Sequence, residues 1–120
     1  MTTGSFKRGE VVAARLEPTE GSEQGGTRPV VVVSNDLFNE AMSILSIVPV
    51  TSRVANRRAY PSEVALARGD AGLRTDSLAL CHQVRTIARA RIGRRIGRLD
   101  DATMGRLDQG LRLHLGLGGT

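Results

Sequence analysis

The 120-residue chain has one cysteine, no tryptophan and few aromatic residues. A single cysteine cannot form an internal disulfide, so a reducing cytoplasm is the expected setting. Cys81 lies in the apolar run 78–81, which predicts a buried packing residue rather than a nucleophile. The aromatic residues are Phe6, Phe38 and Tyr60, too few for an extended base-stacking platform. A bound nucleic acid strand would therefore be held mainly by arginines, amides and main-chain donors.

Several other signals are missing from the chain. No stretch approaches the roughly 20 consecutive apolar residues of a transmembrane helix, and the first residues lack the basic start and apolar run of a signal peptide. His82 and His114 have no partners at zinc-site spacing, and there is no Cys-x-x-Cys pair. Gly-x-Gly-x-x-Gly, a Walker lysine and Gly-x-Ser-x-Gly are also absent. We expect a cytoplasmic protein with no metal, no nucleotide cofactor and no membrane association.

Lysine is nearly absent, although the chain is basic. Lys7 is the single lysine among 17 basic residues, and the formal net charge is +5. Six arginines fall within residues 85–98. A positive balance favours a polyanionic partner. A charge run is more often a solvated face, and an arginine excess can reflect genomic base composition, so charge permits nucleic-acid binding without establishing it.

Apolar and turn patterns predict one domain over residues 1–120, with frayed ends at 1–5 and 116–120. A polar, glycine-rich loop is expected over 17–28, and Asn35 with Asp36 is expected to cap a helical turn through residue 39. Pro49 indicates an edge or a bulge in the third strand. Strands are predicted at 10–16, 30–34, 43–51, 61–66, 77–81 and 83–87, the last two of which could form one bent strand.

A helix is predicted near the end of the chain, where Asp100 or Asp101 can act as the N-cap. Gly105 and Gly110 weaken this helix by roughly 1 kcal/mol each relative to alanine, so tertiary packing must help to hold it. Its apolar residues are spaced by three and four and should share one buried side: Met104, Leu107, Leu111 and Leu115. Short strands followed by a terminal helix predict a mainly β protein, a strongly bent antiparallel sheet or barrel with helical cover.

Three stretches carry the most specific pattern. The sequence Gly-Ser-Glu-Gln-Gly-Gly-Thr-Arg-Pro at 21–29 leads into a run of valines, residues 47–51 end in Thr51, and residues 76–87 read D-x-x-x-L-x-x-Q-x-R-T-I. In this order they resemble the MazF/PemK/Kid toxins, and the likeness spans nearly the whole chain. The resemblance implies an SH3-like (CcdB/Kid/MazF-type) antiparallel barrel with a C-terminal helix. It also implies a homodimer with metal-independent endoribonuclease activity, neutralised by an antitoxin with an acidic, disordered tail.

The resemblance implies that Arg28 and Thr51 carry the chemistry. The guanidinium of Arg28 offers a planar, permanently charged fork for phosphate oxygens, and the Thr51 hydroxyl can donate to a non-bridging oxygen. Arginine is not deprotonated in proteins, so another group must take the proton of the attacking 2′-OH. Glu23 is the candidate base and Glu20 the second. His82 is disfavoured, because relatives commonly carry an acidic residue at that position.

Gln83 and Arg85 are predicted to alternate along one strand and to share its face. An amide and a guanidinium suit a base edge and a phosphate, although a structural hydrogen-bonded pair is the alternative. Further RNA contacts are expected from Glu20, Ser22, Gln24, Arg53, Arg57, Arg58 and Ser77.

The sequence thus predicts a toxin that cuts single-stranded RNA at selected sequences and leaves 2′,3′-cyclic phosphate and 5′-hydroxyl ends. Two alternatives stay open. A CcdB-like toxin would share the barrel and bind DNA gyrase, but gyrase binding needs no Arg-Pro phosphate loop. A barrel that binds RNA without cutting it is disfavoured by the intact Arg28 and Thr51. The basic tract 89–98 could widen the RNA surface or engage the acidic antitoxin tail.

Overall fold

The computed structural model describes residues 5–17, 20–21, 23, 25–52 and 59–118. Among these residues every strand pair is antiparallel, and a long helix follows the last strand. This confirms the predicted mainly β architecture. The strands are β1 (Glu10–Arg15), β2 (Thr27–Val32), β3 (Ile44–Ser52), β4 (Glu63–Leu66), β5 (Ser77–Leu80), β6 (Arg85–Ala88) and β7 (Ile92–Arg98). The α-helices are α1 (Asp36–Ala41) and α2 (Asp101–Leu115).

Strand β3 is the centre of the sheet, whose order is β4-β5-β3-β2-β1-β7 with β6 also paired to β3. Residues 44–47 of β3 pair with β6, and residues 50–52 pair with β5. The expectation that Pro49 marks an edge or a bulge is therefore wrong. Pro49 is buried in the central strand, between the segments that pair with β6 and β5. Pro49 pairs with Val30 on one side, and on the other side the ladder is already interrupted, which is where a proline is tolerated.

The valine run of β2 is buried on both faces, as its composition predicts. Val31 belongs to the apolar cluster beneath α2, whereas Val30 and Val32 belong to the cluster on the other side of the sheet. Each fully buried valine or leucine contributes about 1.5–3 kcal/mol relative to an exposed one. The two clusters hold the ends of β2 and β3 in place, and the residues predicted to be functional lie at those ends.

Both helices begin at the predicted caps. The Asn35 side chain accepts a hydrogen bond from the Phe38 amide (2.7 Å), and Asp100 accepts one from the Thr103 amide (2.8 Å). Gly116 closes α2 in the left-handed conformation, in a segment where the sequence predicted fraying. Residues 1–4 and 119–120, also predicted to fray, lie outside the described residues. No helix among the described residues is long and apolar enough to cross a bilayer.

The apolar side of α2 is shorter than predicted. Met104 and Leu107 are buried and Leu111 is partly buried against the core. Leu115 is 55% exposed, which corrects its assignment to the buried side. Helical spacing alone therefore overestimates the length of the buried side.

The sequence pattern does not predict strand β7, because its seven residues are arginines and glycines with only two isoleucines. It pairs with β1 across two register shifts and forms one end of the sheet. Charged side chains commonly protect an exposed edge strand from pairing with other chains. The basic tract is therefore largely a strand, and its partner in the sheet rather than its local pattern gives it this conformation.

Candidate functional site

Arg28 lies inside a strand rather than in a loop, because β2 begins at Thr27 and not at residue 30 as predicted. It pairs with Ala14 of β1, and its side chain is half-buried. The Nε atom donates to the Gly25 carbonyl oxygen at 2.7 Å. The two Nη groups make no hydrogen bond with any described residue, so the outer edge of the guanidinium is available to a ligand.

Thr51 and Arg28 lie just beyond the last paired residues of β3 and β2. The pairing of the two strands ends at Val30 and Pro49, and Arg28 and Thr51 are each two residues further on. Two residues 23 positions apart in sequence are thus brought to the same end of two neighbouring strands.

Arg28, Thr51 and Ser77 line one cavity of about 300 Å³, which we call the arginine pocket. The cavity lies at the ends of β2, β3 and β5, beside the middle of β7. The sequence predicts that Ser77 lines the same groove as the other two, and the structure brings it there. The described residues that line it are Arg28, Pro29, Val50, Thr51, Ser52, Gly72, Leu73, Arg74, Thr75, Ser77, Arg94 and Ile96.

The arginine pocket carries uncompensated positive charge. Of the described residues that line it, three are arginines, others carry hydroxyl groups, and none is acidic. The ion pairs among the described residues join Arg8 to Asp108 and Arg95 to Glu10, away from this pocket. Arginine stays protonated in proteins and its fork matches phosphate oxygens. The pocket is thus chemically suited to a phosphate group.

Arg74 and Arg94 are pocket residues that the sequence reasoning missed. Arg74 follows a 3-10 turn formed by Asp70–Gly72, and Arg94 lies in β7. The sequence predicts no strand over 92–98, so it does not distinguish Arg94 from the other arginines of the basic tract. A strand prediction there would have indicated which of these arginines lie on the same face of the sheet.

Most of the basic tract binds this chain itself. Arg89 donates to main-chain carbonyls at the end of α1, and Arg91 donates to the carbonyl oxygens of Arg15, the last residue of β1, and of Glu17. Arg95 pairs with Glu10 at 3.1 Å, and its guanidinium lies 4.4 Å from the centre of the Phe6 ring. These three arginines therefore have partners within the chain, and a role of the tract in binding RNA or an antitoxin tail stays a prediction.

A second cavity of about 300 Å³, which we call the amide pocket, also borders β3. Pro49 lines the amide pocket, and the next three residues of β3 line the arginine pocket. The prediction that Gln83 and Arg85 share one strand is wrong, because Gln83 ends a 3-10 turn and Arg85 begins β6. The fold nevertheless brings them together. The lining is Glu23, Pro49, His82, Gln83, Val84 and Arg85.

Glu23 lies in the amide pocket and is not among the residues that line the arginine pocket. Its carboxylate accepts a hydrogen bond from the Glu20 amide at 2.5 Å, and its own amide donates to the Glu20 carbonyl oxygen at 3.2 Å. Arg85 donates to the Leu16 carbonyl oxygen at 3.3 Å. The predicted base and the predicted phosphate ligands therefore line different cavities.

The remaining predicted contacts fall where the structure gives no description. Ser22, Gln24, Arg53, Arg57 and Arg58 lie outside the described residues and remain predictions. His82, disfavoured as a base, lines the amide pocket and its Nδ1 lies 3.4 Å from the Ser62 hydroxyl.

Cys81 lines neither pocket. It is fully buried, its Sγ lies 3.6 Å from the Leu107 carbonyl oxygen, and burial raises the pKa of its thiol to about 11. A protonated, buried thiol is a packing group, which confirms the prediction from its apolar surroundings. Among the described residues, no three side chains of histidine, cysteine, aspartate or glutamate form a group that could hold a metal ion.

The chain is similar to proteins of one family over nearly all of its length. Residues 7–115 match the PemK-like, MazF-like toxins of type II toxin-antitoxin systems. The endoribonuclease MazF9 of Mycobacterium tuberculosis is 41% identical over 117 residues, which cover 93% of this chain and 98% of that protein. The endoribonuclease EndoA of Bacillus subtilis is 37% identical over 111 residues, covering 92% of this chain and 95% of that protein.

Solved structures show the same fold. An endoribonuclease from a mycobacterial species, in complex with its cognate antitoxin, superposes with a TM-score of 0.79 at 26% identity and covers 97% of this chain and all of that one (100%). MazF from Deinococcus radiodurans also gives a TM-score of 0.79, at 28% identity, and covers 94% of this chain and 98% of that chain.

Proposed function

The chain belongs to the family of PemK-like, MazF-like toxins of type II toxin-antitoxin systems, and from this premise we propose that it is a cytoplasmic endoribonuclease that cuts single-stranded RNA at selected sequences. The observation that carries the proposal is the arginine pocket, where Arg28 and Thr51 line one cavity with no carboxylate among its described lining residues. Such a pocket attracts the phosphate of a nucleic acid strand.

The proposed reaction uses the substrate's own 2′-OH as the nucleophile. The O2′–P bond forms and the P–O5′ bond breaks, which leaves a 2′,3′-cyclic phosphate and a 5′-hydroxyl. The free Nη groups of Arg28 donate to the non-bridging oxygens as negative charge builds on phosphorus, and the Thr51 hydroxyl donates to the same group. Arginine supplies this charge without a metal ion, so we propose that the reaction is metal-independent.

The proton of the 2′-OH goes to Glu23 in this proposal, and the departing 5′ oxygen takes a proton from water to become the 5′-hydroxyl. An RNA strand that crosses the end of β3 would place the scissile phosphate in the arginine pocket and the preceding nucleotide in the amide pocket. Glu23 would then face the ribose, while Gln83 and Arg85 contact the base edge and its backbone. A catalytic hydrogen bond that is absent from a free enzyme can form in the substrate complex, so separation in the free chain does not argue against this base.

We also propose that a cognate antitoxin blocks the same surface. A related endoribonuclease has been solved in complex with its cognate antitoxin. An acidic, disordered tail would place carboxylates against the arginine pocket and gain order on binding. The active form in this proposal is a homodimer, in which two copies cover each other's exposed apolar surface.

The deciding experiment incubates the purified protein with a long single-stranded RNA in excess EDTA and maps the product ends. We expect discrete cuts with cyclic phosphate ends, lost in Arg28→Ala and kept in Arg112→Ala, an exposed arginine of α2. Cutting by Arg28→Ala at the wild-type rate would contradict the mechanism. A protein that binds RNA without cutting it, or that captures DNA gyrase instead, would contradict the nuclease itself.

The role of Glu23 has its own test. Glu23→Gln keeps the shape of the side chain and removes its basicity, so single-turnover cleavage should fall by about 10²–10⁴-fold. Glu40→Gln is the matched control, because Glu40 is exposed on α1 and lines neither pocket. If both variants lose activity equally, Glu23 is not the specific base.

A further inference from the structure

We propose that Arg74 and Arg94 bind the RNA phosphate next to the one that is cut, so that the arginine pocket holds two backbone phosphates. This rests on the proposed function, because it names a further part of the same RNA-binding site. The two arginines reach the pocket from different elements, Arg74 from the segment after the 3-10 turn and Arg94 from β7. Neither comes from the strands that carry Arg28 and Thr51.

A close backbone contact holds these two arginines beside each other. A Cβ atom on Gly97 would lie 2.2 Å from the Ala71 carbonyl oxygen, and one on Gly72 would lie 2.7 Å from the Ile96 carbonyl oxygen. The 3-10 turn therefore rests directly on β7 without intervening side chains. Arg74 follows this contact by two residues and Arg94 precedes it by two, so the contact determines their relative position.

The turn is also strained where it touches β7. Ala71 has φ +49° and ψ +32°, the left-handed region that is uncommon for a residue with a Cβ atom. Such conformations persist where the surrounding structure over-determines them, and they cluster at ligand-binding sites. The strain here lies in the turn that brings Arg74 to the pocket.

The charges of Arg74 and Arg94 distinguish them from the rest of the basic tract. Arg89, Arg91 and Arg95 bind carbonyl or carboxylate oxygens of this chain. Arg74 and Arg94 have no ion pair or hydrogen bond with a described residue, and both line the same cavity. Like charges held near each other repel, and an anion between them reverses the sign of the interaction.

A second phosphate explains the number of donors better than one does. Arg28 and Thr51 already supply donors to the two non-bridging oxygens of the scissile group. Arg74 and Arg94 add two more guanidinium groups, and the Thr75 and Ser77 hydroxyls line the same pocket. Together these groups offer more hydrogen-bond donors than the scissile phosphate can accept. A single strand carries a phosphate at every nucleotide, so the adjacent group is the natural ligand for the added donors. Such a contact holds substrate and transition state equally, so it should affect KM rather than kcat.

The test compares Arg74→Ala and Arg94→Ala with Arg68→Ala and Arg98→Ala. Arg68, six residues before Arg74, is the control for Arg74, and Arg98, four residues after Arg94, is the control for Arg94. Both control residues are exposed and do not line the pocket. Steady-state cleavage gives kcat and KM. Fluorescence anisotropy gives the affinity for a mixed-sequence 2′-O-methyl RNA oligonucleotide, which cannot be cut because it lacks the 2′-OH.

We expect Arg74→Ala and Arg94→Ala each to raise KM and weaken binding by about 10- to 100-fold, the effect of losing a hydrogen bond between charged groups. The slope of log affinity against log salt should fall by about 0.7 for each phosphate that the variant no longer neutralises. The Arg68 and Arg98 variants should change KM, the affinity and the salt slope by much less. Arg94→Gln serves as a second variant if Arg94→Ala has a lowered melting temperature.

Equal losses in the pocket and control variants would overturn the proposal, since that result indicates a diffuse charge effect. A fall in kcat with unchanged KM would also overturn it, because the arginines would then act on the scissile group. The binding assay separates this failure from that of the proposed function. A wild-type protein that cuts nothing, yet binds the oligonucleotide through Arg74 and Arg94, refutes the nuclease and leaves the two-phosphate site standing.

Discussion

Arginines of identical chemistry have two different roles in this protein, and the atoms that each side chain faces decide which. Arg95 lies over the Phe6 ring and beside Glu10, so it joins β7 to β1. Such partly exposed contacts contribute little individually, about 0–1 kcal/mol for the ion pair. Arg28 and Arg94 face a cavity without a carboxylate among its lining residues. Their charge is therefore available to an external anion.

At the residue scale, the hydroxyl of Thr51 can be tested apart from its shape. Thr51→Val keeps the β-branched side chain and removes the donor, whereas Thr51→Ser keeps the donor. We expect Thr51→Val to lower kcat by about 10²–10³-fold, the cost of losing one donor to a developing anion. Thr51→Ser should retain most of the activity.

Single-turnover cleavage measures the effect, and melting temperatures verify that both Thr51 variants fold. Comparable losses in the two variants would indicate that Thr51 matters through packing rather than through its hydroxyl.

At the element scale, the two glycines inside α2 differ in the space around them. Gly105 is exposed, and a Cβ atom built on it meets nothing within 4 Å. Gly110 is buried, and its Cβ atom would lie 2.8 Å from the Cys81 sulfur. Both glycines lower the stability of the helix relative to alanine, and close packing offsets this loss only at Gly110.

We expect Gly105→Ala to stabilise the protein by about 1 kcal/mol through helix propensity. Gly110→Ala should destabilise it by about 1–3 kcal/mol, because overpacking outweighs propensity. Urea unfolding measures both free energies. Gly110→Ala in a Cys81→Ala background should recover most of the loss, and no recovery would show that the sulfur contact is not the cause.

The cap of α2 predicts a pH dependence of stability. The backbone amide of Thr103, and then its side chain, donate to Asp100 and lower the pKa of that carboxyl. A lowered pKa stabilises the fold above the ordinary carboxyl value of 3.8, and this contribution is lost as the pH falls from there through the lower folded value. Asp100→Asn keeps a capping acceptor but does not titrate.

We therefore expect Asp100→Asn to resemble the wild type in melting temperature more closely at acid pH than at neutral pH. Asp100→Ala should be less stable than Asp100→Asn at every pH, because it has no cap. Thermal melts across the pH range measure both differences. A constant gap between wild type and Asp100→Asn would contradict the charged-cap account.

At the scale of the whole molecule, an apolar surface suggests how two copies associate. A groove of about 410 Å³ lies between β4 and α2, lined in part by Pro61, Val64 and Leu113. Leu113, Leu115 and Leu117 are each about half exposed, at 49%, 55% and 53%, near the end of the helix. Clustered exposed leucines on a small chain are typical of an interface. We propose that a second copy of this chain covers them.

Sedimentation velocity should show a dimer for the wild type. Leu113→Asp should shift the protein towards monomer, because a charge cannot be buried in an apolar interface at low cost. Leu37→Asp is the matched control, since Leu37 is 79% exposed on α1. A dimeric Leu113→Asp variant would exclude this face, and a monomeric wild type would exclude the homodimer.

The sequence by itself determined the features that depend on neighbours along the chain. The valine run of β2, the caps at Asn35 and Asp100, and the buried Cys81 follow from local composition, and the structure confirms them. Motif order was sufficient to indicate the family, and the roles that the resemblance implies for Arg28 and Thr51 stay predictions. The local features are predicted correctly because side-chain periodicity and capping are local properties.

Tertiary structure alone decided the features that depend on distant partners. Strand β7 exists because β1 pairs with it, although its own sequence is a poor strand. Arg74 and Arg94 share a pocket because Gly72 and Gly97 allow the 3-10 turn to pack closely against β7. Glu23 and Arg28 line different pockets that both border β3. Strand pairing and backbone packing join residues far apart in sequence, and their energies come from contacts that no local pattern records.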